Sequence, residues 1–366
     1  MRGMKKASPY AIVGALILAM AGGTQRFQNC YAQTSSGAAR SAGGRQASAH
    51  HRAAALPKTA PQLVIIDTDI GDDIDDAFAL AVALRSPELK ILGITTEFGP
   101  TELRARLVDR YLSAVGRTGI PVAAGISTPQ PNVFTQAAYA RQWPARKHLD
   151  AVTFLLSQIH AHPGQITLIC IGPLFNVQAA IARDPADFHK LRRVVMMGGS
   201  IYRGYDGPKT GAHRPPDAEW NIRCDPAGAK ALLASGVPVF MMPLDSTQIR
   251  FGEPELGRVL AHGSALTNQL SLLYQEWSSA TRRLTPVLYD PVTVAYTLRP
   301  KLCPVTPMRL AVDSKGFTRP VAGAPNVQVC LHSDEKRIKR LWLDRIIGDS
   351  VPRRVVTESG ASRNAK

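Results

Sequence analysis

Leu63-Val64-Ile65-Ile66 is an unbroken apolar run, and the ten positions after it carry six aspartates: Asp67, Asp69, Asp72, Asp73, Asp75 and Asp76. A run with no polar alternation suits a strand covered on both faces, which places it inside a parallel sheet. Beyond the acidic turn, Ala77, Leu80, Ala81 and Leu84 recur at helical spacing. The unit therefore reads as strand, acidic turn, helix.

The alternation recurs along the chain. Lys90 to Thr95, Ile166 to Ile171, Val194 to Met197 and Val237 to Met242 read as strands. Thr101 to about Val115, Ala151 to His160, Pro226 to Ala234 and Asp334 to Ile347 read as helices. Such alternation predicts an α/β fold: a mostly parallel, open sheet with helices on both faces, in a single large domain over 61–350. Ligands of these sheets bind beyond the carboxyl ends of the strands, where the acidic turn falls. The stretch from Gly198 to Ala218 breaks the pattern with five glycines and three prolines, and a loop that long inside a domain is usually functional or mobile.

Ahead of the domain, Arg2, Lys5 and Lys6 precede an apolar run from Ala11 to Gly22 that is short for a membrane span. Residues 1–32 read as a secretion signal cleaved after Ala32, with a second small-x-small site after Ala21 and an uncleaved anchor as the alternative. Export to the periplasm or medium, with no stable membrane insertion after cleavage, is the expectation. Residues 33–60, rich in Ala, Gly, Ser and Arg, read as a flexible linker, and 351–366 as a disordered basic tail. The formal charge of +16 divides as +8 in residues 1–60, +6 in 336–366 and only +2 in the body. No basic stripe with interleaved aromatics crosses that body, which argues against a nucleic-acid partner. Of the five cysteines, Cys30 would leave with the signal. An oxidising compartment would permit one bridge among the rest, with Cys303 and Cys330 as one pairing that spacing does not establish.

One or two acids at a helix start are ordinary, because they cap it and favour its dipole. Six exceed that need. Two ionised carboxylates about 5 Å apart repel by roughly 3 kcal/mol at an effective dielectric near 20. Their concentration calls for a cation, raised pKa values, or both. Oxygen donors without His or Cys suit a hard ion, calcium or magnesium.

From this turn onward, over roughly 63 to 347, the chain resembles the inosine–uridine preferring nucleoside hydrolases. Their opening pattern is Asp-x-Asp-Pro-Gly-x-Asp-Asp-Ala; here Ile70 replaces the Pro and two residues are added after Gly71. Gly172-Pro173-Leu174-Phe175-Asn176 is similar to the family's Gly-Pro-Leu-Thr-Asn, Met197-Gly198-Gly199 to its Met-Gly-Gly, Ala218-Glu219-Trp220-Asn221 to its Ala-Glu-Phe-Asn, and Tyr289-Asp290-Pro291 to its aromatic-Asp-Pro. The resemblance implies calcium (Ca2+) held by Asp69, Asp76, Asp290 and the backbone carbonyl of Phe175. It implies Asp75 as the base that activates water, and the insertion leaves Asp73 as the alternative. Glu219 and Asn221 would hold ribose hydroxyls beside Met197, with Trp220 walling the pocket. Tyr289 stands where a histidine acid is usual; Tyr205 and His213 are candidates to close over the base. The implied substrate is a small-molecule riboside, and a homo-oligomer is compatible with the family.

Two departures accompany the match. The family's Gly-Asn after its second strand, a sugar contact, is Gly99-Pro100 here, with Thr101 the nearest substitute, and a second pocket Asn has no counterpart before Glu219. Two other functions share parts of the pattern. An Asp-nucleophile phosphatase would use Asp67 as nucleophile and Asp69 as acid, with magnesium. An exported ribose- or calcium-binding protein would keep the sugar site without turnover.

Overall fold

The computed structural model describes residues 60–207 and 214–348. The expected signal, most of the linker, His213 and the basic tail lie outside them. Among the described residues no helix is long and apolar enough to cross a membrane.

The apolar run becomes β1 (Gln62–Thr68). Because side chains alternate across a strand, Val64 and Ile66 enter one apolar cluster and Ile65 the other, all fully buried. The two clusters lie on opposite faces of the sheet, which is why the run has no polar position. The helices of the first cluster include α1 (Asp75–Leu84), α2 (Thr101–Ala114), Ala265–Thr281, Pro291–Leu298 and Glu335–Ile346. The second gathers Ala151–Ala161, Phe175–Arg183 and Pro226–Ala234.

In chain order the other strands are β2 (Leu89–Thr96), β3 (Val122–Ala124), β4 (Leu149–Asp150), β5 (Thr167–Cys170), β6 (Arg193–Met197), β7 (Val239–Met242), β8 (Val305–Met308), β9 (Leu310–Val312), β10 (Thr318–Pro320) and β11 (Val327–Cys330). The large sheet runs β4-β3-β2-β1-β5-β6-β7-β11-β8, and β9 pairs with β10 separately. All its pairings are parallel except β11 with β8. The chain builds outward from β1 in one direction through β4, then returns to lay β5 on its other side. The strand order thus reverses between β1 and β5, where an open α/β sheet leaves a crevice for a ligand.

The expected elements are present, with boundaries shifted by a residue or two. β3, β4, the β8–β11 region and the helices Phe175–Arg183, Glu253–Leu260, Ala265–Thr281 and Pro291–Leu298 are among the additional elements. A disulfide joins Cys303 to Cys330, with both side chains buried.

Candidate active site

The strand ends at the reversal converge on a cavity of about 880 Å³. Ile171, just past β5, donates its N–H to the Asp67 carbonyl at 2.8 Å, holding the two ends level. Gly71 turns the chain with φ +125°, where a Cβ would strike the Phe134 ring. At Gly172 a Cβ would lie 2.9 Å from the Asp69 backbone nitrogen, so β5 can approach the acidic turn this closely only without a side chain.

The two added residues are absorbed before α1, which opens at Asp75. Asp75 and Asp76 therefore occupy its first turn, where the helix dipole favours negative charge. The Thr68 hydroxyl donates to Asp76. Asp290, at the start of Pro291–Leu298, donates its N–H to Asp75 Oδ2 at 3.3 Å. Asp75, Asp76 and Asp290 each offer a carboxylate oxygen within 4.8 Å of the other two, and all three are buried. Burial first, and their neighbours' negative charge second, push all three carboxyls well above the usual carboxylate range. Asp69 lines the same cavity outside this trio. Burial pushes it up, Arg104 pulls it down, and the net value is about 7.

These residues fit a divalent ion. The donor set is all oxygen, which selects a hard cation. A positive ion would also relieve the repulsion that otherwise forces protons onto the trio. No histidine lines the cavity among the described residues.

The other wall carries the sugar-binding candidates. Glu219 caps the helix Trp220–Cys224, accepting from the N–H groups of Asn221 and Ile222 at 3.0 and 3.1 Å, and from Gly199 at 2.9 Å. A carboxylate has about four lone-pair sites, so one remains for a hydroxyl. Asn221 donates Nδ2 to the Met197 carbonyl at 3.2 Å, which orients its amide. Trp220, Met197, Tyr205 and Tyr289 complete this side. Tyr205 packs edge-on against Tyr289 with centroids 6.2 Å apart, and its hydroxyl accepts from the Trp220 N–H at 2.9 Å. Burial pushes both phenols up, so both keep their protons.

Phe175 is not brought into the site. It opens the helix Phe175–Arg183, where a carbonyl points along the helix axis to a later N–H, and its ring stacks on Phe98 at 6.2 Å. The residue of that segment lining the cavity is Ile171. A backbone ligand leaves no side-chain signal, but its place at the end of a central strand could have marked Ile171. Thr101 donates its hydroxyl to the Gly125 carbonyl and does not line the cavity either.

The remaining acids are accounted for by neighbours. Asp72 pairs with Arg104 at 3.0 Å. Asp73 lines the cavity and accepts from the Ile74 N–H at 2.7 Å; burial raises its pKa, against Arg283 and Trp277. Asp67 is fully buried and does not line the cavity. It accepts from Thr95 and Asn176, and burial pushes it up to about 6. A phosphatase would need that carboxylate open to substrate, so this function loses its nucleophile.

The model of the inosine-uridine preferring nucleoside hydrolase family matches residues 64–340. Uridine nucleosidase 1 of Arabidopsis thaliana is 30% identical over 69% of this chain and 79% of its own length. The non-specific ribonucleoside hydrolase RihC of Escherichia fergusonii is 29% identical over 78% and 97%. Among solved structures, the plant nucleoside hydrolase PpNRh1 superposes with a TM-score of 0.68 at 26% identity, covering 78% of this chain and 99% of that one.

Proposed function

The chain belongs to the inosine–uridine preferring nucleoside hydrolases, and from that membership we infer that it hydrolyses the N-glycosidic bond of ribonucleosides with calcium as its metal. The observation carrying this reading is the buried trio Asp75, Asp76 and Asp290 beneath a cavity whose opposite wall presents Glu219 and Asn221.

Asp75, Asp76 and Asp290 would hold the cation, with Ile171 rather than Phe175 as the neighbouring backbone donor. Once bound, the ion supplies a Lewis acid for the ribose diol and for one water. Glu219 offers its remaining lone pair to a ribose hydroxyl, and the oriented Asn221 amide meets another. The water oxygen bonds to C1′ through an oxocarbenium-like transition state as the C1′–N bond breaks, and the departing nitrogen keeps the electron pair. Asp69 lines the cavity beside the trio without belonging to it, and burial raises its proton affinity toward the range a general base needs. We therefore assign it the water's proton. This exchanges the roles expected of Asp69 and Asp75. Tyr205 and Tyr289 give the base an aromatic wall and protonated hydroxyls for hydrogen bonds.

The test is a panel of purine and pyrimidine ribosides assayed for free ribose with calcium and with chelator. Release that needs the metal is expected. Calcium-dependent ribose binding without release of base from any riboside would instead make this a binding protein.

We further propose export. Support comes from the basic residues ahead of the apolar run Ala11–Gly22 and from the buried Cys303–Cys330 bridge, which an oxidising compartment favours. Natural protein recovered with residues 1–32 intact and both cysteines reduced would overturn it.

A further inference from the structure

Arg104, on α2, is fully buried with its charge. Burying a guanidinium is costly unless its donors are satisfied. A guanidinium has five N–H donors, and all five are used. Nε donates to the Phe98 carbonyl at 2.7 Å. Nη1 donates to the carbonyls of Asp69 and of Ile70, the latter at 2.9 Å. Nη2 donates to Asp72 Oδ2 and Gln130 Oε1, each at 3.0 Å. Gln130 in turn donates to both Asp72 oxygens at 2.8 and 2.9 Å.

Three of these acceptors are backbone carbonyls, and two belong to the acidic turn itself. The third requires an unusual backbone: Phe98 has φ +62°, in the left-handed region that a bulky residue rarely adopts. Strain of this kind persists where the surroundings over-determine it, and it clusters at functional sites. At Gly99, also left-handed with φ +61°, a Cβ would lie 1.8 Å from Gln130 Oε1 and displace it from Arg104. The guanidinium also lies 5.0 Å from the Phe134 ring centroid, and Phe134 is the ring packed against Gly71. Strand end, turn and loop are all gathered on one side chain.

We propose that Arg104 is a positioning residue of the active site, whose hydrogen bonds fix the backbone of the enlarged acidic turn so that Asp69, Asp75 and Asp76 face the cavity, and that metal affinity depends on it. The inference rests on reading Asp75, Asp76 and Asp290 as the cation site. Lysine cannot substitute: it keeps the charge but has three donors on a point group instead of a planar fork.

Calcium affinity of the full-length protein, measured by calorimetry on wild type and Arg104→Lys, tests this without relying on turnover. Groups that orient metal ligands typically contribute about 10–100-fold in affinity, and a loss of about tenfold or more is expected in R104K with a cooperative melt retained. Its kcat should recover toward wild type as calcium is raised, which a general loss of fold would not allow. Gln130→Ala removes one of the five acceptors from a half-buried loop residue, and should weaken calcium by a few-fold in the same direction. This second variant decides the matter if R104K does not fold. Wild-type affinity in folded R104K, or in Q130A when R104K does not fold, overturns the role of Arg104. A wild type that binds no calcium overturns the cation site itself.

Discussion

Asp69, Asp75 and Asp76 lie within eight positions of one another, yet their surroundings give them different work. Asp76 is held by Thr68 and faces two carboxylates. Asp75 receives the Asp290 N–H. Asp69 sits at the strand end, with its carbonyl tied to Arg104 and its carboxylate toward the cavity. Asp69→Asn should therefore lower kcat by about 10²–10⁴-fold, the usual worth of a general base, while calcium binding stays within a few-fold of wild type. Asp76→Asn should lose both metal and turnover, and Asp75→Asn should weaken metal first. Calorimetry beside steady-state kinetics separates the cases. Retained metal with lost turnover in D75N, together with metal loss in D69N, would restore the opposite assignment. The acidic turn was legible in the sequence because so many carboxylates crowded behind a buried strand repel one another unless a cation or protons sit among them, whereas Asp290, Glu219 and Asn221 entered only through the family resemblance. Ile171 and Arg104 were not legible. One lines the cavity through its place at a strand end, and the other acts from a helix more than thirty residues away, where nothing local distinguishes it from the half-buried Arg106 and Arg110 on the same helix.

At the scale of elements, the legible part is the part with a period. β1 and β5 to β7 are mostly apolar runs that show burial on both faces, β2 is buried beyond its exposed Lys90, and Pro226–Ala234 begins with an N1 proline behind the cap Asp225. β3 is three residues long and β4 two, too short to carry any pattern. Ala265–Thr281 is capped by Ser264 and Thr267, but much of its surface is exposed and its apolar positions are diluted by polar ones. The order of strands is the least legible feature, because it depends on pairings far apart in sequence. It also matters most for function, since the reversal between β1 and β5 brings Ile171 and the acidic turn together. At the other end of the sheet, β8 is an antiparallel edge strand with little burial. The Cys303–Cys330 bridge closes a 27-residue separation across that pairing. In the chain-entropy account a loop of this size contributes about 3–4 kcal/mol, which supports an edge that has only a small share of the core.

For the whole molecule, the acidic site is a stability cost that a cation can remove, and pH sets the size of that cost. Burial pushes Asp67 up to about 6 and Asp69 up to about 7, and burial followed by the charge of neighbouring carboxylates pushes Asp75, Asp76 and Asp290 well above the usual carboxylate range. A carboxyl whose folded pKa exceeds its unfolded value binds more protons when folded. Its contribution is therefore favourable in acid and is lost as pH rises from about 4 through the folded value. The metal-free protein should thus lose thermal stability between pH 5 and pH 8. Calcium reverses the sign for the groups it touches, since it favours the ionised form that the fold otherwise penalises. Calcium at about 100 times its Kd is worth about 2.7 kcal/mol, roughly 4–5 °C in midpoint for a domain of this size at about 2.1 cal/mol/K per residue. Scanning calorimetry at pH 5.5 and pH 8, with calcium and with chelator, should show a gain in midpoint that is larger at the higher pH. An absent gain would mean that these carboxyls are satisfied by the fold without an ion, and the catalytic reading would lose its physical basis; an equal gain at both values would mean that the bound ion displaces no protons from them.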